Sequence, residues 1–221
     1  MISVVTPVYN EEAVLPEFYR RLTAVLKAIG EPYEIILVND GSKDSSISIM
    51  KDLCGRDACV KVVSLSRNFG HQIAISAGLD YATGDFVAIM DSDLQDPPEV
   101  LPSFFKKCAE GYEVVYAIRM NRKEWVLKKV AYSVFYRLLK KMANIDIPLD
   151  SGDFCVLSRR ALDTLLSMPE KNRFLRGLRG WIGLAQTGLE YDRDKRSAGE
   201  VKYTLTKLMK LALDGFISFS Y

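Results

Sequence analysis

Short apolar runs alternate with amphipathic stretches along the first half of the chain. Ile2–Thr6 (ISVVT) gives way to the polar turn Pro7–Glu12, after which Val14, Leu15, Phe18, Leu22, Val25, Leu26 and Ile29 recur at helical spacing up to Gly30. That pattern predicts a strand, a polar turn and an amphipathic helix. Glu34–Val38 is the next strand; it ends at Asn39-Asp40-Gly41-Ser42, and Asp44 or Ser45 can cap a helix running to Leu53. A third strand, Lys61–Leu65, stops at Ser66–Gln72 and leads into a small-residue helix, Ile73–Ala82, closed by Gly84. Phe86–Met90 is a fourth. Four strand-then-helix units in succession predict an α/β fold with a mostly parallel sheet and right-handed crossovers. Such a sheet turns its strand ends to one edge, which gathers Tyr9, Asn10, Glu11, Asp40, Arg67, Asp91 and Asp93 from separate stretches.

The fourth run delivers Asp91 and Asp93 into a polar turn closed by Pro97-Pro98. Two hard carboxylates side by side at a strand end suit Mg²⁺ or Mn²⁺, which bind through one or two carboxylates and leave the rest to water and phosphate oxygens. The plain alternative is a turn whose aspartates cap the following helix. No GxGxxG follows the first strand and no GxxxxGK[ST] occurs, so phosphate has to be held another way. A metal on the Asp91/Asp93 pair is the natural substitute.

After a fifth strand, Val114–Ile118, the character changes. Arg119, Arg122, Lys123, Lys128, Lys129, Arg137, Lys140 and Lys141 face the one acid Glu124, interleaved with apolar residues from Trp125 to Met142 at helical spacing. This suits a membrane surface with anionic headgroups, or equally a core-packed helix with a solvated basic face. Asp150–Phe154 reads as a polar segment leading into Cys155–Ser158 and a helix through Leu166; Asn172–Trp181 mixes arginines, glycines and apolar residues; Thr187–Tyr191 is a last strand. The tail Tyr203–Tyr221 carries Leu205, Leu208, Leu211, Ala212, Phe216 and Ile217 on one stripe, as of a chain stopping just short of a membrane-embedded region.

A chain of 221 residues with 48% hydrophobic content accommodates one sizeable α/β domain and an appendage. A net charge of +2 argues against wrapping nucleic acid. The four cysteines form no CxxC pair, and the single histidine, His71, supports neither a Cys/His zinc site nor a serine triad; reduced thiols in a cytoplasmic setting are expected. No basic leader precedes the first strand and no run reaches the ~20 apolar residues of a spanning helix, so a soluble or peripheral protein is expected. His71 reads as a loop residue near the site without chemistry of its own.

The stretches VVTPVYNEE, ILVNDGSKDSS, LSRNFGHQIAISAGLDYATGD, IMDSDLQDPPE, the SGDF at Ser151, NRFLRGLRGWIG and RSAGEVKY together resemble glycosyltransferase family 2, and within it the polyprenyl-phosphate glycosyltransferases. The resemblance spans almost the whole chain. It implies a GT-A (Rossmann-like) domain over residues 1–200 and a juxtamembrane, membrane-facing amphipathic helix over 201–221. It further implies that Pro7, Tyr9, Glu11, Asp40, Asp91 and Ser92 surround the donor nucleotide, with Arg196 and Lys202 in a segment that closes over it. Asp91, Asp93 and Gln95 would hold the Mg²⁺ or Mn²⁺, with Asp93 the first choice as direct ligand. Arg119, Lys129 and Ser133 fall where the family handles the acceptor phosphate. Lys129 stands where some members carry arginine, a point charge in place of a fork.

The implied reaction is inverting transfer of a hexose, glucose from UDP-glucose in preference, from a nucleoside diphosphate sugar to undecaprenyl or dolichyl phosphate at the cytoplasmic face of a membrane. Asp153 matches the carboxylate assigned as base in related transferases, or it orients the sugar, or it is a turn aspartate capping the next helix. A GDP-mannose-dependent enzyme, a transferase acting on a cell-wall or lipopolysaccharide saccharide, and a sugar-nucleotide-binding pseudoenzyme are the rivals. Processive members carry a QxxRW-type motif that this chain lacks. A homo-oligomer is an open expectation.

Overall fold

A computed structural model describes residues 1–119, 151–169 and 175–192. The elements follow in the order β1 (Ile2–Val8), α1 (Leu15–Ile29), β2 (Tyr33–Asn39), α2 (Ser46–Arg56), β3 (Val60–Ser64), α3 (His71–Leu79) and β4 (Phe86–Ile89). A 3₁₀ turn (Pro98–Val100) then leads to α4 (Leu101–Ala109), β5 (Val114–Arg119), β6 (Ser151–Ser158), α5 (Arg159–Leu166), α6 (Leu175–Trp181) and β7 (Gln186–Tyr191). The seven strands form one sheet in the order β3-β2-β1-β4-β6-β5-β7. β3, β2, β1 and β4 are mutually parallel, as the repeated strand-then-helix pattern predicts. β6 alone runs antiparallel to both neighbours, and β7 is parallel to β5.

The alternating side chains of the strands feed two cores, one on each face of the sheet. Val4, Val8, Ile35, Leu37 and Ala88 pack with Leu15, Phe18, Leu22 and Leu26 of α1, Met50 of α2 and Phe104 of α4. Val5, Ile36, Val38, Val87 and Ile89 pack with Ile75 and Leu79 of α3, Leu162 and Leu165 of α5 and Leu178 of α6. Helices thus cover both faces of a sheet whose central strands are buried throughout, which is why those strands are apolar runs and not alternating ones. Small residues in α3 let it lie close on the sheet: a Cβ at Gly78 would stand 2.4 Å from Val5 Cγ1 and 2.7 Å from Val38 Cγ2.

Two expectations need correction. Ser151–Phe154 is not a polar lead-in but the first half of β6, where Ser151 pairs with Ile118 of β5; the second half, Cys155–Ser158, pairs with β4. His71 is not in a loop; it is the first residue of α3. The expected basic helix after β5 and the tail helix over 201–221 lie outside the described residues, and among the described residues no helix is long and apolar enough to cross a membrane.

Candidate functional site

The carboxyl ends of β1, β2, β3 and β4 open on one edge of the sheet, and β6, entering from the opposite direction, brings its amino end to that same edge. The ladder pairs Ile89 with Cys155. Asp91 lies two residues beyond Ile89 and Asp153 two before Cys155, so both stand near this edge. Two carboxylates so placed repel each other unless a cation intervenes, and His71 supplies it. With Asp91 ionised, His71 Nε2–H donates to Asp91 Oδ1 at 2.6 Å, while His71 Nδ1 lies 3.7 Å from Asp153 Oδ2. On the other side of Asp153, Arg176 Nη2 is 3.3 Å from Oδ1. Arg179, almost fully buried, donates to the Gly152 and Asp153 carbonyls.

These charges set the titration of the site. Burial presses the Asp153 carboxyl upward, but the Arg176 guanidinium, the His71 ring, Arg179 and a hydrogen bond from Gln72 outweigh it and hold Asp153 well below the usual carboxylate range. Burial likewise opposes charge on the His71 ring, yet Asp91 and Asp153 on either side push it up to about 9.

The turn after β4 holds itself. Asp93, buried, accepts from the Gln95 N–H at 3.0 Å, and Ser92 Oγ donates to the Pro7 carbonyl at 3.3 Å, tying this turn to the end of β1. Leu94 sits in the left-handed region at φ 59° with its side chain buried, and Asp96 accepts a hydrogen bond from the Tyr191 hydroxyl at the end of β7. Neither the 3₁₀ turn nor α4 has a side-chain cap, so the aspartates do not serve a following helix. Asp153 does not cap one either: Ser158 Oγ accepts from Ala161 N at the start of α5.

Around the neighbouring strand ends, the turns after β1 and β2 interlock. Asn10 N donates to Ser42 Oγ, Glu11 N to Ser46 Oγ, Lys43 N to Asn10 Oδ1 and Ser45 N to Glu12 Oε2, all between 2.8 and 3.1 Å. Asp40 is buried and accepts from Phe69 N (2.7 Å), Gly70 N (3.0 Å) and the Asn68 amide (2.9 Å). Burial raises its pKa against those donors. Arg67 stays on an exposed turn with its guanidinium 4.0 Å from the centroid of the Phe69 ring. Pro7, Tyr9, Glu11, Asp40, Asp91, Ser92, Asp93 and Gln95 therefore do share one edge. Arg119 ends β5 there by its backbone, and Lys129, Ser133, Arg196 and Lys202 lie outside the described residues.

The donor set of Asp91, Asp93 and Gln95 is wholly oxygen and belongs to one turn, which fits a divalent ion completed by substrate phosphates and water. Among the described residues no group of three or more His, Cys, Asp or Glu could hold a metal ion by itself, so an ion here would depend on Gln95 and on substrate and water oxygens. Sequence reading set His71 near the site but gave it no chemistry, and it missed Arg176 and Arg179. Their partners lie 20 or more residues away across three elements, and only the register of β4 with β6 reveals the convergence.

The chain is 52% identical over 220 residues to an uncharacterized glycosyltransferase, YkcC, of Bacillus subtilis, covering 99% of this chain and 68% of that protein. It is 41% identical over 220 residues to a prophage bactoprenol glucosyl transferase homolog of Escherichia coli, covering 99% and 72%. Among solved structures, a mannosyltransferase of Pyrobaculum calidifontis in complex with GDP-Man and Mn²⁺ shares the fold with a TM-score of 0.63 at 18% identity, over 90% of this chain and 57% of that one. The chain thus spans roughly 70% of the two relatives and under three fifths of the solved chain. The model of the family described as glycosyl transferase family 2 matches residues 3–166, three quarters of the chain, so that the strand-end aspartates, the parallel sheet and the match agree: the chain is a member of glycosyltransferase family 2.

Proposed function

We propose that this glycosyltransferase moves a hexose, glucose from UDP-glucose in the favoured reading, onto a polyprenyl phosphate with inversion at the anomeric carbon. The observation that carries the proposal is the meeting of two sides at His71: Asp91, from the turn suited to a metal diphosphate, and Asp153, from the antiparallel strand with its two arginines. Support for the acceptor comes from a relative named as a bactoprenol glucosyl transferase homolog at 41% identity. Support for a metal comes from the oxygen donor set and from Mn²⁺ in a transferase of the same fold.

In the reaction, an anionic oxygen of the lipid phosphate attacks the anomeric carbon, and the bond from that carbon to the diphosphate oxygen breaks with its electron pair leaving on the nucleoside diphosphate. A divalent ion held by Asp91, Asp93 and Gln95 would neutralise that leaving charge. The chain's own residues do the rest. The interlocked turns after β1 and β2 shape the nucleotide side, with Pro7, Tyr9, Glu11 and Asp40 there, and Arg196 and Lys202 are assigned to closing over it. Arg119, Lys129 and Ser133 are assigned to the acceptor phosphate. The lipid places the work at a membrane surface, its cytoplasmic face in this reading.

The test is nucleotide release from a panel of UDP-glucose, UDP-N-acetylglucosamine and GDP-mannose, with and without undecaprenyl phosphate and with Mn²⁺, Mg²⁺ or a chelator. Release from UDP-glucose that requires both lipid and metal is expected. Release indifferent to the lipid would move the acceptor elsewhere, and preference for GDP-mannose would make this a mannosyltransferase.

A further inference from the structure

The end of β3 is folded to place one residue. The turn that delivers His71 is fastened to buried Asp40 through Phe69 N, Gly70 N and the Asn68 amide. It also passes so close to Gly41 (φ 68°) that a Cβ there would lie 2.4 Å from the Arg67 carbonyl carbon and 2.5 Å from Asn68 N. One residue beyond His71, the Gln72 side-chain oxygen accepts from Leu175 N at 3.1 Å, which binds the start of α3 to the start of α6. The His71 ring therefore stands on a base fixed from two directions, with Nε2 on Asp91 Oδ1.

We infer that His71 is a positioning residue for the divalent cation: by holding one oxygen of Asp91 and standing between it and Asp153, it fixes the orientation of the carboxylate that would ligate the ion. The inference rests on the reading above that Asp91 helps hold a metal with the donor diphosphate. Its physical basis is that a ligating carboxylate or imidazole held by an outer hydrogen bond keeps its geometry, and loss of that bond typically lowers metal affinity about 10- to 100-fold. Asp40, Gly41 and Gln72 act through His71 in the same way.

The experiment is calorimetric titration of UDP, and of GDP in parallel, into the full chain with and without Mn²⁺, for wild type, His71→Ala and His71→Gln. Thermal melts confirm that all three remain folded. For His71→Ala the Mn²⁺-dependent affinity is expected to fall about 10- to 100-fold while metal-free binding is unchanged, and His71→Gln, which keeps an N–H donor, is expected to recover most of the loss. Wild-type Mn²⁺-dependent affinity in folded His71→Ala, or equal losses with and without metal, would overturn the role given to His71 and leave the proposed function standing. Absence of any Mn²⁺-dependent nucleotide binding in wild type would overturn the metal reading itself, and the inference with it.

Discussion

Asp153 shows how surroundings decide what a carboxylate can do. Held ionised by Arg176, His71 and Arg179 well below the usual carboxylate range, it is a poor proton acceptor at neutral pH, where a general base works best with a pKa near the operating pH. The acceptor asks little of it, since a phosphate monoester with a second pKa of about 6 is already mostly anionic. Asp153→Asn is therefore expected to slow transfer by loosening Arg176 and His71 while leaving the acid limb of the rate profile where the wild type has it; disappearance of that limb in the variant would identify Asp153 as the base. Asp93 offers the contrast. It is buried at the turn that would carry the metal, and Asp93→Ala is expected to cut transfer by about 10²-fold or more with the fold retained. Near wild-type turnover of that variant in Mn²⁺ would remove Asp93 from the site.

At the scale of elements, a buried carboxylate ties β1, β2 and β3 together at the edge opposite the site. Glu34, buried at the start of β2, accepts from Ser3 Oγ (2.6 Å), Thr83 N (2.7 Å) and Thr83 Oγ1 (2.8 Å), and pairs with Lys61 on β3. Burial raises its pKa, but these partners together bring it down from 4.5 to about 2. A carboxylate whose folded pKa is depressed stabilises fully above its unfolded value. That stabilisation, about 3 kcal/mol, should fade as pH falls from about 4.5 toward 2. Chemical denaturation across that window should show the loss in wild type and a flatter profile in Glu34→Gln. At the other edge, the Tyr191 hydroxyl links β7 to Asp96 in the turn carrying Asp91 and Asp93. Tyr191→Phe is expected to cost about 1 kcal/mol, a drop of about 2–4 °C in Tm, readable by calorimetry. An unchanged melt would mean the hydroxyl contributes nothing net.

Over the whole molecule, the parallel half of the sheet was legible because each buried strand is an apolar run ending in a polar turn. Such a pattern needs only local information. β6 was not, because Ser151-Gly152-Asp153 look like turn residues and become strand only as the start of a strand that pairs with β5 along its length and with β4 from Cys155 onward. The same blindness hid the centre of the site. Asp91 announces itself at the end of Phe86–Met90, but His71 and Arg176 matter only once an antiparallel strand returns Asp153 to the edge where the parallel strands end. Resemblance named Asp153 without its neighbours, and the fold supplies them. What the bound sugar becomes defines the transferase. The direct measurement is the mass of the lipid extracted after the chain is incubated with UDP-glucose, Mn²⁺ and undecaprenyl phosphate: a lipid phosphate heavier by one hexose residue is the expected result, and unchanged lipid alongside UDP and free glucose would contradict it.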